Sequence, residues 1–274
     1  MSSKKKALIT FVLLVVVLIV LFNINLFVGL TALLMIFAYM FYITRTSLFS
    51  VIGTMNYSKG NLDKAISWYK RAYETGKANP RSNISYAYLL LKSGRIDESE
   101  AILQKMLKSS IGKDDMMFTK SNLALAVWKK GDLDGAVSML EEILPEYTNS
   151  TIYGSLGYFH ILKGDLDKAL QFNLEAYEYN NTNTVILDNL GQTYHLTGQD
   201  EKALEIYETL VSKNPAFPEA YFNYSLVLEK LGKLEQALEM AEKALNYKLT
   251  FLSTISRDDI EEKIKEITSS IKTV

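Results

Sequence analysis

Side chains that could bind a cation stand close together in one short acidic stretch, GDLDKAL, which runs from Gly164 to Leu170. Asp165 and Asp167 lie on either side of a leucine behind a glycine, an arrangement that also occurs in cation-binding loops. The rest of the chain offers little for metal or redox chemistry, because it has two histidines, His160 and His195, and no cysteine. Thiolate metal sites, cysteine nucleophiles and disulfides are therefore excluded. The number of times this acidic stretch occurs decides whether it is a ligand loop.

Related stretches recur along the chain at a nearly constant interval. They are GNLDKAI, GRIDESE, GDLDGAV, GDLDKAL, GQDEKAL and GKLEQAL, which begin at Gly60, Gly94, Gly131, Gly164, Gly198 and Gly232. The intervals between these glycines are 34, 37, 33, 34 and 34 residues. A period of this length is typical of a helix–turn–helix repeat and not of a metal loop. We therefore interpret both histidines as ordinary helix residues, and the sequence predicts no metal site and no cofactor.

Small residues occupy two fixed positions around each of these turn glycines. Seven residues before the glycine stand Gly53, Ala87, Ala124, Gly157, Gly191 and Ser225. Five residues after it stand Ala65, Ser99, Ala136, Ala169, Ala203 and Ala237. Because the distance between two packed helices depends on the side chains at their contact, small residues allow the closest approach. The two columns predict where the helices of each repeat cross.

The glycine and the aspartates of each turn then have structural roles. Glycine ends a helix by taking a left-handed backbone conformation at little steric cost. An aspartate beside it can cap the start of the next helix and interact with its positive end. The acidic pair Asp165 and Asp167 is thus interpreted as a boundary between two helices.

The pattern resembles the tetratricopeptide repeat (TPR) family, whose usual period is 34 residues. Two segments carry the resemblance best, NTVILDNLGQTYHLTGQDEKALEIYETLVSKNP from Asn183 and NPAFPEAYFNYSLVLEKLGKLEQALEMAEKAL from Asn214. The resemblance implies an all-α fold, a right-handed TPR superhelix of about six helix–turn–helix repeats. The stretch SSIGKDDMM supplies three extra residues between the second and third repeats, which predicts a longer loop there. Asn173 and Glu100 stand where apolar residues are usual.

Similarity to this family also implies a concave groove, lined by the first helix of each pair, that binds a protein or peptide partner. Positions nine, six and three residues before the turn glycine line that groove, and its candidate residues are Asn122, Asn189, Asn223, Tyr88, Trp128, Tyr158, Gln192 and His195. The asparagines resemble those with which family members bridge the backbone of an extended ligand, since an amide both donates and accepts. The alternative is that the aromatic residues pack between first helices and the asparagines bond only neighbouring backbone. The lysine that begins the family's carboxylate clamp is missing, so a chaperone-tail ligand is not expected.

The N-terminal part of the chain has a different composition. Residues 7–43 contain no charge and are interrupted by the polar sequence Asn-Ile-Asn at 23–25. One straight helix of that length would be about 55 Å long, whereas the core of a bilayer is about 30 Å thick. We therefore predict a transmembrane helical hairpin over residues 7–45, with spans at 7–22 and 26–43.

The flanking charges predict the orientation of this hairpin. Lys4, Lys5 and Lys6 precede the first span, Arg45 follows the second, and the turn is uncharged. The positive-inside rule then predicts a cell-membrane protein with two spans and its TPR domain in the cytoplasm. A cleaved signal peptide is the alternative, but no small-x-small cleavage site follows the first apolar run, and a second apolar run does.

The remaining sequence suggests the partner class and the domain boundaries. After Arg45 there are 31 acidic residues against 30 − 4 = 26 basic ones, and a charge of −5 disfavours nucleic-acid binding. We predict a basic tail at 1–6, the hairpin at 7–45, six TPR repeats at 46–250 and a C-terminal capping helix at 251–274. A capping box of Ser256 with Asp259 favours that last helix, and isoleucines recur along it at helical spacing, namely Ile260, Ile264, Ile267 and Ile271.

Three functions of different classes are compatible with these features. The leading interpretation is a membrane-anchored protein–protein interaction scaffold that binds a partner segment in its groove. The second is an assembly or quality-control factor for a membrane protein complex, which would use the hairpin as well as the groove. The third is an enzyme, and it is disfavoured because the sequence offers no nucleophile–base pair, phosphate loop or metal constellation. We therefore predict a non-enzymatic protein with no small-molecule substrate.

Overall fold

Every hydrogen-bonded element between residues 3 and 273, the range whose backbone the computed structural model describes, is a helix. Side chains are described for Lys5 and residues 8–272, so Met1 and Ser2 of the predicted tail and Val274 of the predicted capping helix lie outside the described residues. The helices of this range are α1 Ser3–Ile24, α2 Leu26–Ser58, α3 Leu62–Glu74, α4 Pro80–Lys92, α5 Ile96–Leu107, α6 Lys113–Lys129, α7 Leu133–Ile143, α8 Ser150–Lys163, α9 Leu166–Tyr179, α10 Thr184–Leu196, α11 Asp200–Ser212, α12 Glu219–Lys230, α13 Leu234–Ala244 and α14 Arg257–Thr273. They form two compact units, residues 1–82 and 83–274, each described by itself below.

The first unit begins with two apolar helices that meet at Asn25. This residue is non-helical and lies inside the predicted Asn-Ile-Asn turn, and its side-chain oxygen accepts a hydrogen bond from the Phe27 amide at 2.7 Å. Across the break, the Phe22 ring of α1 packs so closely on Gly29 of α2 that a methyl group on Gly29 would lie 2.4 Å from the ring. Within the described residues, α2 alone is long and apolar enough to cross a bilayer by length and composition, and residues 8–24 of α1 form a shorter apolar helix.

Helix α2 runs without interruption from the apolar segment into the first repeat. It therefore contains both the predicted second span and the predicted first helix of repeat one, with no break at their junction near Arg45. Its last turns pack on α3, where the Tyr69 ring lies against Gly53 and the Tyr69 hydroxyl lies 2.8 Å from the Thr54 hydroxyl. The small-residue position at Gly53 thus marks a helix crossing, as predicted.

The second unit consists of helix pairs that cross at the two predicted columns of small residues. The small residues of both columns that lie in this unit are all buried. In the second repeat a hydrogen bond also joins the two columns, since the Ser99 hydroxyl donates to the Ala87 carbonyl at 2.7 Å. The turn in the motif GDLDKAL has Gly164 at a φ of 79°, and the Asp165 carboxylate accepts a hydrogen bond from the Lys168 amide. The acidic stretch is therefore a helix boundary.

The residue nine positions after each turn glycine complements the small residue at the crossing. Where the first helix has Gly191, the second helix places the fully buried Tyr207 ring directly on it. Where it has Gly157, the buried Asn173 occupies that place, and its amide donates to the Gly157 carbonyl at 3.3 Å and to the Thr193 hydroxyl at 3.0 Å. Repeats with alanine at the crossing have leucine instead, as in the third repeat with Leu140.

The prediction of a longer loop between the second and third repeats is wrong. The connection from α5 to α6 covers residues 108–112 and is no longer than its neighbours at 75–79 or 144–149. The additional residues instead lengthen α6, which has 17 residues. Asp114 and Asp115 lie in its first turn, where negative charge stabilises a helix.

Helix α14 closes the second unit by packing on α13. The Ser256 amide donates to the Asp259 carboxylate at 2.7 Å and the Asp259 amide donates to the Ser256 hydroxyl at 3.1 Å, which is the predicted capping box. Ile260 and Ile267 are fully buried in the same core cluster as Ala241, as helical spacing of the isoleucines predicted.

Substitution of Gly191 by alanine should destabilise the second unit, although alanine normally stabilises a helix interior relative to glycine by roughly 0.5–1 kcal/mol. The new methyl group would lie 2.7 Å from the buried Tyr207 ring, and overpacking of this kind costs about 1–3 kcal/mol. Thermal unfolding of the full chain in detergent, followed by circular dichroism, measures the change. Gly154→Ala is the matched control, because its methyl would meet only the exposed Val185 side chain. Equal or higher stability of Gly191→Ala would contradict the crossing geometry.

Candidate functional site

Metal-binding candidates do not assemble in the described part of the chain, where no three His, Cys, Asp or Glu side chains converge. His160 is buried with its ring 4.9 Å from the Phe172 ring, and burial lowers the pKa of its imidazole. His195, one of the predicted groove residues, has its Nδ1 2.6 Å from the Asp200 carboxylate across the turn between α10 and α11. Both histidines therefore have local structural partners.

The three predicted groove asparagines are buried, and each uses its amide N–H inside the fold. Asn122 donates to the Phe118 carbonyl of its own helix at 2.9 Å. Asn189 donates to the Gly154 carbonyl of α8 at 2.7 Å, and Asn223 donates to a side-chain oxygen of Asp188 on α10 at 3.2 Å. Asn189 and Asn223 thus tie each first helix to that of the preceding repeat.

Asp188 is the centre of a buried polar network. The Tyr207 hydroxyl lies 3.2 Å from the same Asp188 oxygen that Asn223 contacts, and Tyr207 is itself fully buried. Burial raises the pKa of Asp188 to about 7; the nearby Glu219 carboxylate also raises it, while the hydrogen bonds from Asn223 and Tyr207 oppose this. The carboxyl group therefore changes its ionisation near neutral pH.

The predicted aromatic residues Trp128 and Tyr158 form a half-buried group on α6 and α8. Their ring centroids lie 5.9 Å apart with an edge-on geometry, and Trp128 also packs 5.2 Å from the buried Phe159 ring. The Lys129 ammonium lies 4.2 Å from the Trp128 ring centroid. This packing supports the alternative that neighbouring first helices use these rings to contact each other, yet both rings keep part of their surface exposed.

Tyr88 lies on α4 and Gln192 lies on α10. Both are half-buried, and the Lys92 ammonium lies 5.8 Å from the Tyr88 ring centroid. Among the eight candidates, the structure thus brings Trp128 and Tyr158 together. His195 instead contacts Asp200 at the carboxyl end of α10.

A segment of the chain itself crosses the surface beside Trp128 and Tyr158. This crossing loop comprises residues 245–256, between α13 and α14. We call the surface that it contacts the docking face, which consists of Lys92, Gly94, Trp128, Lys129, Tyr158 and Glu219. The Phe251 amide donates to the Lys92 carbonyl at 3.0 Å, and the Phe251 ring lies against Gly94.

Two further hydrogen bonds hold the loop to other repeats. The Lys129 ammonium donates to the Ser253 carbonyl at 3.3 Å, and the Thr254 amide donates to the Glu219 carboxylate at 3.0 Å. Burial is the chief cause that raises the pKa of the Tyr158 hydroxyl, and the Thr254 side chain opposes that shift. The docking face therefore combines residues from four first helices or their ends.

Opposite charges flank the loop on the docking face. Burial lowers the pKa of Lys129, and the Glu219 carboxylate opposes that shift. Glu219 also raises the pKa of Asp188, so the Glu219 carboxylate acts on both Lys129 and Asp188. A bound main chain meets a hydrogen-bond donor at Lys129 and an acceptor at Glu219.

Sequence reasoning missed Lys129, Glu219 and the crossing loop. The available signal was the length of the connection, twelve residues at 245–256 compared with four to six between the earlier repeats. Phe251, Leu252 and Ile255 are apolar residues within it, and apolar residues in a long connection indicate that it packs on something.

Replacement of Asp188 by asparagine should change how stability depends on pH. The folded-state pKa of about 7 lies above the ordinary value of 3.8, so the stability that this carboxyl contributes is present below pH 4 and is lost as the pH rises through 7. The neutral amide avoids that loss, so the stability of Asp188→Asn relative to wild type should increase between pH 5 and 8 by on the order of 2 kcal/mol. Thermal unfolding at several pH values measures this, with the exposed Asp167→Asn as control. A pH-independent difference would contradict the shifted ionisation.

Comparisons with known proteins agree on the nature of the repeats. Sequence profiles of the tetratricopeptide repeat match residues 57–110, 186–219 and 206–239. No curated protein matches the sequence.

Solved structures share the fold at low sequence identity. A tetratricopeptide repeat protein from Parabacteroides merdae is 14% identical with a TM-score of 0.63, over 82% of this chain and 85% of that one. The Cut9–Hcn1 hetero-tetramer of the APC/C is 12% identical with a TM-score of 0.64, and the match covers 81% of this chain and 42% of that one. Pseudomonas aeruginosa pilF is 11% identical with a TM-score of 0.57, and the match covers 82% of this chain and 97% of that one. The chain therefore contains tetratricopeptide repeats and forms an all-helical solenoid of the TPR type.

Proposed function

We propose that this protein is a membrane-anchored scaffold that binds a protein or peptide partner on the docking face of its second unit. Proteins with the TPR fold generally mediate protein–protein interactions. The observation that carries the proposal is the crossing loop, because a peptide segment already lies on this face and is held through its main chain. A surface that holds one segment in this way has the donors and acceptors to hold another.

The exposed surface of the first two helices supports the membrane anchor. Most of the exposed large hydrophobic side chains of the described residues lie between Leu8 and Ile43, a concentration far above that of a soluble surface. At the end of this segment the Arg45 guanidinium lies 4.2 Å from the ring centroid of the exposed Tyr42. Aromatic and basic residues are enriched at such membrane–water boundaries.

The predicted groove residues take different parts in this proposal. Trp128 and Tyr158 contribute partly exposed rings to the docking face. Asn189 and Asn223 hold consecutive first helices in register through their buried amides, and direct contact of the asparagines with a partner stays a prediction. Tyr88, Gln192 and His195 lie outside the docking face as defined here.

Exchange of the hairpin tests whether the protein is a scaffold or an assembly factor that uses the hairpin for recognition. If residues 7–43 are replaced by an unrelated hairpin of equal length and function is kept, the anchor serves only attachment. Loss of function with normal membrane insertion would instead favour direct recognition by the apolar helices.

Single cysteines can test the proposed orientation, since the chain has no cysteine of its own. We expect an impermeant thiol reagent applied to intact cells to label Ile24→Cys and not Lys272→Cys, and both sites are exposed in the structure. Lys272 should become reactive after the cells are opened. Labelling of Lys272→Cys from outside intact cells would overturn the cytoplasmic location.

Partner capture from solubilised membranes tests the binding function itself. We expect a specific partner to co-purify with the wild-type chain and to be reduced at least tenfold by Trp128→Ala, which removes a ring of the docking face, and by Asn189→Ala, which loosens the register. Leu174→Ala is the matched control, because it removes an exposed apolar side chain from a second helix. Thermal unfolding of each variant establishes that it is folded. Equal recovery from all variants would place the partner elsewhere.

A further inference from the structure

The crossing loop makes its hydrogen bonds to the docking face through main-chain groups. The Phe251 and Thr254 amides are donors to Lys92 and Glu219, and the Ser253 carbonyl is an acceptor from Lys129. Such contacts do not depend on the identity of the bound side chains. The docking face can therefore hold the backbone of many peptides that take the same path.

One side-chain contact adds chemical selectivity. The Phe251 ring lies on Gly94, where an added methyl group would come within 3.3 Å of the ring, so glycine leaves room for an aromatic group. The Lys129 ammonium lies 5.3 Å from the Phe251 centroid and 4.2 Å from the Trp128 centroid. An aromatic side chain from the occupant thus completes a cation–π arrangement with Lys129 between two rings.

The loop conformation shows what shape of segment fits. Thr250 and Ser253 close a tight turn, since the Ser253 amide donates to the Thr250 carbonyl at 2.9 Å and the Thr250 amide donates to the Ser253 hydroxyl at 3.0 Å. This turn places Phe251 and Leu252 at its tip. The hydroxyl of Ser253, two residues after the aromatic one, therefore stabilises the bound shape without help from the docking face.

The middle of the loop, residues 249–254, is held less firmly than the helix that follows it, whereas Tyr247 and Ile255 near the ends of the loop pack against the core. Phe251 remains 41% exposed, and Thr254 is exposed as well. Helix α14 is fixed independently, by the buried Ile260 and Ile267 and by an ion pair of Lys263 with Glu229 at 3.2 Å. Residues 249–254 can therefore leave the docking face while α14 stays in place.

We propose that the docking face binds a turn from a partner protein that carries one aromatic residue two positions before a hydroxyl residue, and that this turn binds by displacing residues 249–254 of the crossing loop. The inference rests on the proposed function and deepens it by naming the chemistry of the partner segment. The loop is then an internal ligand that competes with the partner. Because the loop is tethered to the docking face, its effective concentration there is roughly millimolar. The docking face is then open only part of the time, so it binds a partner correspondingly more weakly.

A synthetic peptide with the loop's own sequence, LTFLSTIS, tests this proposal in trans. The peptide carries a fluorophore and is titrated onto the full chain in nanodiscs. In one variant residues 249–254 are replaced by a Gly/Ser sequence of equal length, which keeps the capping box of Ser256 and Asp259. We expect that variant to bind the peptide at least tenfold more tightly than wild type. A peptide with alanine in place of phenylalanine should lose most of this binding.

Substitutions on the docking face establish where the peptide binds. In the Gly/Ser variant, Lys129→Gln should reduce peptide affinity at least fivefold, because it removes the charge between the two rings. Leu174→Ala should leave the affinity unchanged. Equal affinity of wild type and the Gly/Ser variant, with both folded, would overturn the proposal and leave the loop as a structural tie.

Hydrogen exchange on the wild-type chain keeps the test decisive if the Gly/Ser variant does not fold. Excess peptide should accelerate exchange of the Phe251 and Thr254 amides, which the docking face otherwise protects, while exchange in α14 stays slow. No acceleration at saturating peptide would overturn displacement. A shift to a dimer instead of peptide binding would show loop exchange between two copies, and would also overturn it. If the peptide fails but Trp128→Ala still abolishes partner capture, the proposed function stands and this inference falls.

Discussion

The close approach of the two helices within each repeat is the contact on which the second unit depends. At Gly191 the first helix has no side chain, so the Tyr207 ring of the second helix lies directly on its backbone. Ala203, which is fully buried, provides the matching small residue on the second helix. Because interiors are packed to crystal-like density, this distance leaves no freedom to slide one helix along the other. The register of every other residue in the repeat follows from it.

That register explains why the buried polar groups lie where they do. Nine residues before a turn glycine, Asn189 and Asn223 reach residues of the preceding first helix, at Gly154 and Asp188. A buried amide without a partner costs about 1–3 kcal/mol, whereas a satisfied one contributes less than that in net stability. These bonds therefore select one alignment of neighbouring repeats more than they strengthen it. The groups available for a ligand are left at the helix ends, at Lys129 and Glu219.

Local and periodic features of the sequence predicted much of this fold. The glycine turns, the small-residue crossings and the Ser256 capping box depend on residues a few positions apart, so their spacing was sufficient. The break at Asn25 was predictable for the same reason. The longer α6 was not, because the extra residues fit a loop or a helix equally well until their packing is known.

The docking face was only half predictable, because it depends on contacts between distant residues. Trp128 and Tyr158 could be found from their position relative to the turn glycines. The bond from the Phe251 amide to the Lys92 carbonyl joins residues 159 positions apart, and no periodicity encodes it. Sequence spacing therefore predicted which positions of the first helices face a groove. It could not predict that residues 245–256 of the same chain lie beside Trp128 and Tyr158.

Continuity of α2 places a constraint on the first unit that a flexible linker would not. The thirteen residues that follow Arg45 in this helix extend it by about 20 Å at 1.5 Å per residue. Thr54 and Gly53 on this extension hold the Tyr69 ring of α3, and Phe49 packs 5.6 Å from Trp68. If the apolar segment spans a bilayer, the first repeat cannot rotate independently of that span without breaking helical hydrogen bonds. The apolar helix then sets the height and the tilt of the first repeat as well as attaching it.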